Sequence, residues 1–146
     1  SNITRFQNPF SRIIMSNLIR ILNAAKSVLN VNTDVNIAPM RVKLDDTAYA
    51  YKAMDSYFIY INEDILRKDK INNFNIRVII HELYHIKQMI DGDLKFSDDR
   101  KVAYWKNIKY DKSYSYDERP FEVEARLAET KYFKQVKKLV KEDVVS

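Results

Sequence analysis

The chain's only two histidines, His81 and His85, are four residues apart and form the pattern H-E-x-x-H with Glu82. Side chains at this spacing on a helix project from one face, so the two imidazoles can bind a single zinc ion. Glu82 projects beside them, where its carboxylate can take a proton from a metal-bound water and later pass it to a leaving amine. The motif therefore predicts one Zn²⁺ ion per chain, with His81 and His85 as ligands and Glu82 as the general base.

A catalytic zinc site has three protein ligands and one open position. The chain has no cysteine and no further histidine, so the third ligand must be an aspartate or a glutamate. Glu122 is the preferred candidate because Ala125 lies three residues after it, and a small residue there lets two helices approach closely. Glu124 is the fallback, and an acidic residue elsewhere stays open. Either glutamate could instead be favoured by the dipole of a helix first turn.

Three further residues are candidates for contacts with a substrate. Gln88 lies on the histidine side of the same helix, where it could line the cleft, hydrogen-bond a ligand or simply be exposed. Tyr116 and Arg119 precede Glu122, and either could stabilise the oxyanion that forms when water attacks a carbonyl. Arg119 could equally pair with Asp117 or a helix end.

The periodicity of apolar residues predicts the elements that must position these side chains. We expect a first helix over 11–29, three short strands between 35 and 62, a helical turn at 63–67, a central helix over 72–90, an irregular connection over 93–119, and a last helix over 120–140. Gly92 fits the end of the central helix and Pro120 the start of the last one. The predicted fold is a single α+β domain over 1–146, with helices packed on a small three-stranded antiparallel sheet and the metal between the last two helices.

Composition restricts the possible partners. With 146 residues and no cysteine, the chain needs no disulfides, and it has no apolar run long enough to span a membrane and no signal peptide, so a cytoplasmic location is favoured. The net charge of +5 is spread over helix faces, which makes nucleic acid possible but not favoured. Aromatic residues and lysines alternate over 101–116, where a loop that shapes the cleft is favoured over a surface that stacks on bases. The oligomeric state is left open.

H-E-x-x-H followed by a helix with E-x-x-A resembles the gluzincin group of zinc metallopeptidases, and the small size resembles its minimal bacterial and phage members. The residues that carry this likeness are His81, Glu82, His85, Glu122 and Ala125, within 57–134. The resemblance implies a zincin-like fold and a zinc-dependent endopeptidase that cleaves a peptide or protein substrate. It implies Glu122 as the third ligand and Glu82 as the general base.

The resemblance also implies a substrate-binding edge strand before the central helix, which would be 57–62 with Tyr57, Ile59 and Ile61. Many gluzincins have Asp or Asn four residues after the ligand glutamate, where it supports a zinc-bound histidine. This chain has Arg126 there. That departure leaves an alternative function, a catalytically weak or inactive zinc-containing binding or regulatory module.

Overall fold

The computed structural model describes residues 9–40, 47–62 and 72–145. This part of the chain forms, in order, α1 (Pro9–Leu29), β1 (Val35–Met40), β2 (Ala48–Ala53), β3 (Ser56–Asn62), α2 (Asn73–Ile90), β4 (Leu94–Phe96), β5 (Ala103–Trp105), β6 (Ile108–Tyr110), a 3₁₀ turn (Tyr116–Glu118) and α3 (Pro120–Val145). The α+β class is confirmed. The helical turn expected at 63–67 lies outside the described residues.

The first sheet has the strand order β1-β3-β2 and is mixed. β3 pairs with β2 in antiparallel orientation and with β1 in parallel orientation, so that Val35 lies opposite Tyr57. The expected antiparallel meander is therefore wrong. β2 and β3 are joined by a tight turn, whereas the longer connection after β1 does not require β1 and β2 to pair. Strand propensity identified the three strands, but it carries no information on the direction of their partners.

The predicted substrate edge strand is also wrong, because β3 is the central strand of this sheet. Its backbone pairs on both sides, and the side chains of Tyr57, Ile59 and Ile61 are buried in the core. A nearly continuous apolar run is typical of a central strand, which is covered more fully than an edge strand. The edge strand that contacts α2 is β2.

The three helices pack against one another, α2 and α3 most extensively, and α2 also packs against β2 and β3 of this sheet. The apolar residues at helical spacing in α2 form a stripe of Ile76, Ile79, Leu83, Ile86 and Ile90. The first four of these are buried, whereas Ile90, in the last turn, has 40% of its surface exposed. The histidines face away from most of this stripe, towards α3.

Both ends of α2 are capped. The Asn72 side chain accepts a hydrogen bond from the Asn75 N–H at 2.8 Å. At the other end Gly92 has a φ of +83°, its N–H donates to the Met89 carbonyl at 3.0 Å, and the Asp93 N–H donates to the Gln88 carbonyl at 3.1 Å. This is the Schellman arrangement, and it confirms the expected role of the glycine.

The segment 93–119 was expected to be irregular, but it contains a second, antiparallel sheet of order β4-β5-β6 and the 3₁₀ turn. Strands of three residues are too short to show an alternating pattern. The turn between β5 and β6 is formed by Lys106 and Asn107, and both residues have a positive φ although neither is a glycine.

Aromatic residues of this second sheet pack around Phe121 in the first turn of α3. The ring centroids of Phe96, Trp105 and Tyr110 lie 6.4, 6.1 and 6.0 Å from that of Phe121. The sheet therefore covers the start of the helix that carries Glu122, as expected for a segment that shapes the cleft. Of the helices described, none has the length and apolar character needed to cross a membrane.

Candidate metal centre

His81, His85 and Glu122 form a compact cluster where α2 meets the first turn of α3. The Nε2 atoms of the two histidines are 3.2 Å apart, and Glu122 Oε1 lies 3.2 Å from His81 Nε2 and 2.6 Å from His85 Nε2. The helical spacing of the motif brings the imidazoles together, and the buried Ala125 lies at the same helix contact. The preferred third residue, Glu122, thus lies with both histidines.

The donor set fits a metal ion. Neighbouring ligands around a tetrahedral zinc ion lie about 3.3 Å apart when the bonds are 2.0–2.1 Å long. Two of the three distances have this value, and the third needs Glu122 to move by less than 1 Å. Burial opposes the charge of Glu122, but hydrogen bonds from both histidines outweigh it and hold its pKa below the usual range. Glu122 is therefore an anion at neutral pH, as a ligand must be.

His81 is oriented by a residue that sequence reasoning missed. Its Nδ1–H donates to Glu129 Oε2 at 2.7 Å, which leaves Nε2 directed at the cluster. Burial disfavours the charged imidazolium, but the hydrogen bonds to Glu122 and Glu129 prevail and raise the pKa of His81 to about 10. Glu129 follows Glu122 by seven residues, or two helical turns on the same face, and this spacing is the signal that could have identified it.

His85 is oriented in the same way by Gln88. The Nδ1–H of His85 donates to Gln88 Oε1 at 2.8 Å, and Gln88 Nε2 donates to the Phe121 carbonyl at 3.1 Å. Both side chains are buried, so the glutamine amide joins the histidine to the backbone of α3. Gln88 supports a histidine of the cluster and is not an exposed helix residue.

Glu82 is buried beside the histidines, with 6% of its surface exposed. Its Oε2 atom has no hydrogen-bond partner within the described residues. Burial raises the pKa of this carboxyl to about 7, while the charges of His85 and His81 oppose the shift. Burial of a carboxyl oxygen without a hydrogen-bond partner costs free energy of folding. The position of Glu82 therefore indicates that a further polar group binds beside it.

Tyr116 reaches the cluster from the 3₁₀ turn, and its hydroxyl lies 3.2 Å from His81 Nε2. Its ring is covered by the Arg126 guanidinium, 4.3 Å from the ring centroid, and Arg126 also pairs with Asp117 at 2.9 Å. Burial, followed by the negative charge of Glu122, raises the pKa of Tyr116 above its usual value. Tyr116 therefore keeps its proton and can donate a hydrogen bond. Arg126 therefore contacts Tyr116 and does not support a histidine. The Nδ1 atom of His81 is bound by Glu129 instead.

The other predicted site residues lie further from the cluster. Arg119 lines the same cavity, and its Nη2 donates to the Tyr114 carbonyl at 2.9 Å. Glu124 accepts a weak hydrogen bond from Gln88 at 3.4 Å, and it lies outside the cluster of three. Tyr57, Ile59 and Ile61 are in the core, as described above.

No family model matches the chain, and neither curated proteins nor solved structures include a significant match. The arrangement of side chains must therefore carry any functional conclusion.

The cluster opens into a cavity of about 710 Å³. The residues that line it include Thr47, Ala48 and Tyr49 at the start of β2, as well as Tyr116 and Arg119. A cavity of this size can hold several residues of an extended peptide. The three residues of the cluster, the buried Glu82 and Tyr116 all line this cavity, so groups that could bind a metal, accept a proton and donate a hydrogen bond share one space.

Proposed function

We propose that this chain is a zinc-dependent endopeptidase of the gluzincin type. The observation that carries the proposal is that the His81, His85 and Glu122 cluster and the buried Glu82, whose Oε2 atom has no hydrogen-bond partner within the described residues, line one cavity. Two imidazoles and one carboxylate are a donor set of catalytic zinc sites. A zinc ion held by these three residues would supply Lewis-acid chemistry, which polarises a carbonyl and activates water.

In this proposal Glu82 acts as the general base and then as the general acid. It takes a proton from the water whose oxygen attacks the peptide carbonyl carbon, and it gives that proton to the amide nitrogen as the C–N bond breaks. A carboxyl group with a pKa of about 7 is well matched to a proton that must be both accepted and released near neutrality.

Tyr116 is proposed to stabilise the developing oxyanion. Its hydroxyl stays protonated and lies 3.2 Å from His81 Nε2. A donor placed where negative charge develops lowers the barrier of the reaction without binding the ground state more tightly. Glu129 and Gln88 are proposed to act as positioning residues, because each fixes one imidazole through its Nδ1 atom.

The substrate is proposed to add to β2 as an extended strand, in place of the strand first expected. The side chains at the start of β2 line the cavity, and β2 is an edge of its sheet beside α2. Within the described residues no further strand pairs with this edge, and an edge strand offers backbone groups to a peptide irrespective of its side chains. The second candidate function is a zinc-containing binding module with little or no turnover. It would keep the same metal site but would not hydrolyse a bound peptide.

The test combines elemental analysis with protein cleavage. We expect one zinc ion per chain in the wild type and in Glu82→Gln, since the substitution removes the base and none of the ligands. We expect Glu82→Gln to lose at least about 100-fold in cleavage rate on a panel of unfolded proteins. Glu122→Gln should lose zinc, whereas the matched control Glu124→Gln should keep both zinc and activity.

A Glu82→Gln variant that cleaves at the wild-type rate would contradict the proposed role of Glu82. Zinc in the wild type without cleavage of any protein would favour the binding module. A wild type that does not take up zinc when it is supplied would exclude both functions.

A further inference from the structure

The two faces of the second sheet differ in character. The inward face packs its aromatic side chains around Phe121. Side chains alternate along each strand, so the opposite face points outward and is formed by the exposed residues Lys95 of β4, Tyr104 of β5 and Lys109 of β6. None of these three residues belongs to the metal cluster, and the outward face therefore has no role in the proposed hydrolysis.

The three outward side chains form one row across the sheet. Lys95 pairs with Tyr104 between β4 and β5, and Tyr104 pairs with Lys109 between β5 and β6. Cross-strand partners project side by side, so the phenol ring lies between the two lysine side chains. Two strand spacings separate the lysine Cα atoms, which makes that distance about 10 Å. The row therefore presents an aromatic surface with a positive charge on each side.

None of these side chains is engaged elsewhere in the described part of the chain. Tyr104 has 41% of its surface exposed, and no described residue forms a side-chain hydrogen bond or a ring contact with it. Of the described acidic side chains, none forms an ion pair with Lys95 or Lys109. Asp111, close to Lys109 in sequence, accepts hydrogen bonds from the N–H and the hydroxyl of Ser113. The ring and both charges are thus available to a partner.

A cavity of about 530 Å³ adjoins the row at Lys95. Its lining includes Lys52 and two more aromatic residues, Tyr51 and Tyr57, and the Lys52 Nζ atom lies 5.8 Å from the Tyr57 ring centroid. Among the described residues that line this cavity, Asp98 alone is acidic. Lysine and aromatic side chains therefore continue from the row into a concave site that has a surplus of positive charge.

Lysines interleaved with exposed aromatic rings are the features with which many proteins bind single-stranded nucleic acid. The lysines contact phosphates, and a ring stacks on a base, since every base has a π-face. An acidic peptide would satisfy the two lysines but would leave the ring of Tyr104 uncovered. The combination of charge and ring therefore favours a nucleic-acid strand, in which phosphates and bases repeat together.

We propose that the row of Lys95, Tyr104 and Lys109, together with the adjoining cavity, binds single-stranded nucleic acid. A base stacks on Tyr104, and phosphates on either side of it contact the two lysines. These contacts reach base faces and phosphates and none reaches a 2′-hydroxyl, so DNA and RNA strands bind alike and without strong sequence preference. This binding is a further function, and it does not depend on the proposed hydrolysis.

The test measures the fluorescence anisotropy of a labelled oligothymidylate of about 12 nucleotides, a usual length for such a site, as protein is added at several salt concentrations. The variants are Tyr104→Leu, Lys95→Gln and Lys109→Gln. Two matched controls accompany them. Tyr104→Phe keeps the aromatic ring, and Lys138→Gln removes an equal charge from the exposed surface of α3. An oligouridylate of the same length and a polyglutamate competitor complete the set.

We expect the wild type to bind both oligonucleotides with similar affinity, and more weakly as the salt concentration rises. Tyr104→Leu should lower the affinity about 5- to 100-fold, the range for one stacked base, whereas Tyr104→Phe should match the wild type. Each of Lys95→Gln and Lys109→Gln should reduce the slope of log K against log salt by about 0.7, the value for one phosphate contact on a single strand. Lys138→Gln should leave this slope nearly unchanged.

Absence of an anisotropy change at low salt would overturn the inference, as would equal affinities of the wild type and folded Tyr104→Leu. Displacement of the oligothymidylate by polyglutamate of equal charge would overturn it in favour of an acidic protein partner. Thermal unfolding checks that each variant is folded. The titrations are run with zinc and with a chelator, and binding under both conditions is expected, so the result is independent of the proposed function.

Discussion

Each imidazole of the metal centre is fixed at its second nitrogen by a different kind of partner. His81 has the carboxylate of Glu129, and His85 has the amide of Gln88. A carboxylate that accepts from the Nδ1–H makes an imidazole a stronger base, so protons compete with a metal for His81. The pKa of about 10 at His81 means that this ring carries an extra proton at neutral pH when no metal is bound.

The first prediction concerns this proton. Because zinc needs a neutral imidazole, its binding at pH 7.5 should release the proton of His81, and the apparent affinity should rise with pH up to about 10. Glu129→Gln removes one of the hydrogen bonds that raise this pKa. It should release fewer protons and bind zinc about 10- to 100-fold more weakly.

Calorimetric zinc titrations in two buffers of different ionisation enthalpy give the number of protons released. Glu142→Gln, a change of the same kind on the exposed surface of α3, should match the wild type. Equal proton release in the wild type and Glu129→Gln would show that Glu129 does not control the protonation of His81.

The second prediction concerns Tyr116, whose hydroxyl lies 3.2 Å from His81 Nε2. Tyr116→Phe should keep zinc and leave KM nearly unchanged, but it should lower kcat by about 100- to 1,000-fold, as the loss of an oxyanion donor does. Tyr114→Phe is the matched control, because this neighbouring tyrosine packs on Tyr110. A Tyr116→Phe variant that changes only KM would assign the tyrosine to ground-state binding.

At the scale of elements, the proposed substrate strand pairs with the outward-facing backbone groups of β2, and the third prediction tests this pairing. Ala48→Pro removes an N–H that points away from β3, at the first position of an edge strand, where proline is tolerated. It should raise KM for peptides about 5- to 10-fold, by the loss of one backbone hydrogen bond, with little change in zinc content.

Ala48→Val is the control, since it keeps the N–H while enlarging the side chain. The measurement is steady-state kinetics on one peptide, accompanied by thermal unfolding of both variants. An unchanged KM in folded Ala48→Pro would indicate that the substrate does not pair with β2 at this position.

The elements that could be predicted from the sequence are those with a long repeating pattern. The central helix and its glycine cap followed from the helical periodicity of α2, which has 18 residues. The acidic third residue followed from the lack of cysteine and of further histidines in the sequence. The parallel pairing of β1 with β3 could not be predicted, since strand direction depends on where the connections run.

The remaining site residues show a second limit of sequence reasoning. Glu129 was missed because the gluzincin pattern places the supporting acid four residues after Glu122, at the position of Arg126, whereas here a carboxylate seven residues after Glu122 binds the His81 imidazole.

For the whole molecule, buried ionisable groups link stability to pH when no metal is bound. The pKa of Glu82 is raised to about 7 from 4.5, and that of His81 to about 10 from 6.5. In both cases the folded chain binds a proton that the unfolded chain has released. Their stabilisation is present at low pH and is lost as the pH rises, from 4.5 to 7 for Glu82 and from 6.5 to 10 for His81.

The fourth prediction follows. Between pH 5 and 9 the free energy of unfolding of the metal-free protein should fall as the pH rises, by a few kcal/mol in all, roughly 1.4 kcal/mol for each unit of pKa shift. Glu82→Gln should abolish the part of this fall that lies below pH 6.5, where His81 does not yet contribute. Urea unfolding in the presence of a chelator measures it, and a stability that rises steadily over this range would contradict the assignment.

The aromatic packing around Phe121 gives the molecule an optical reporter. Trp105 is the chain's single tryptophan, its ring centroid lies 6.1 Å from that of Phe121, and Phe121 lies 6.3 Å from His85. Phe121 packs against both rings, so a rearrangement of the His85 imidazole should change the surroundings of the Trp105 indole. Its emission should therefore follow the state of the histidine in real time, without a label, in the unmodified protein.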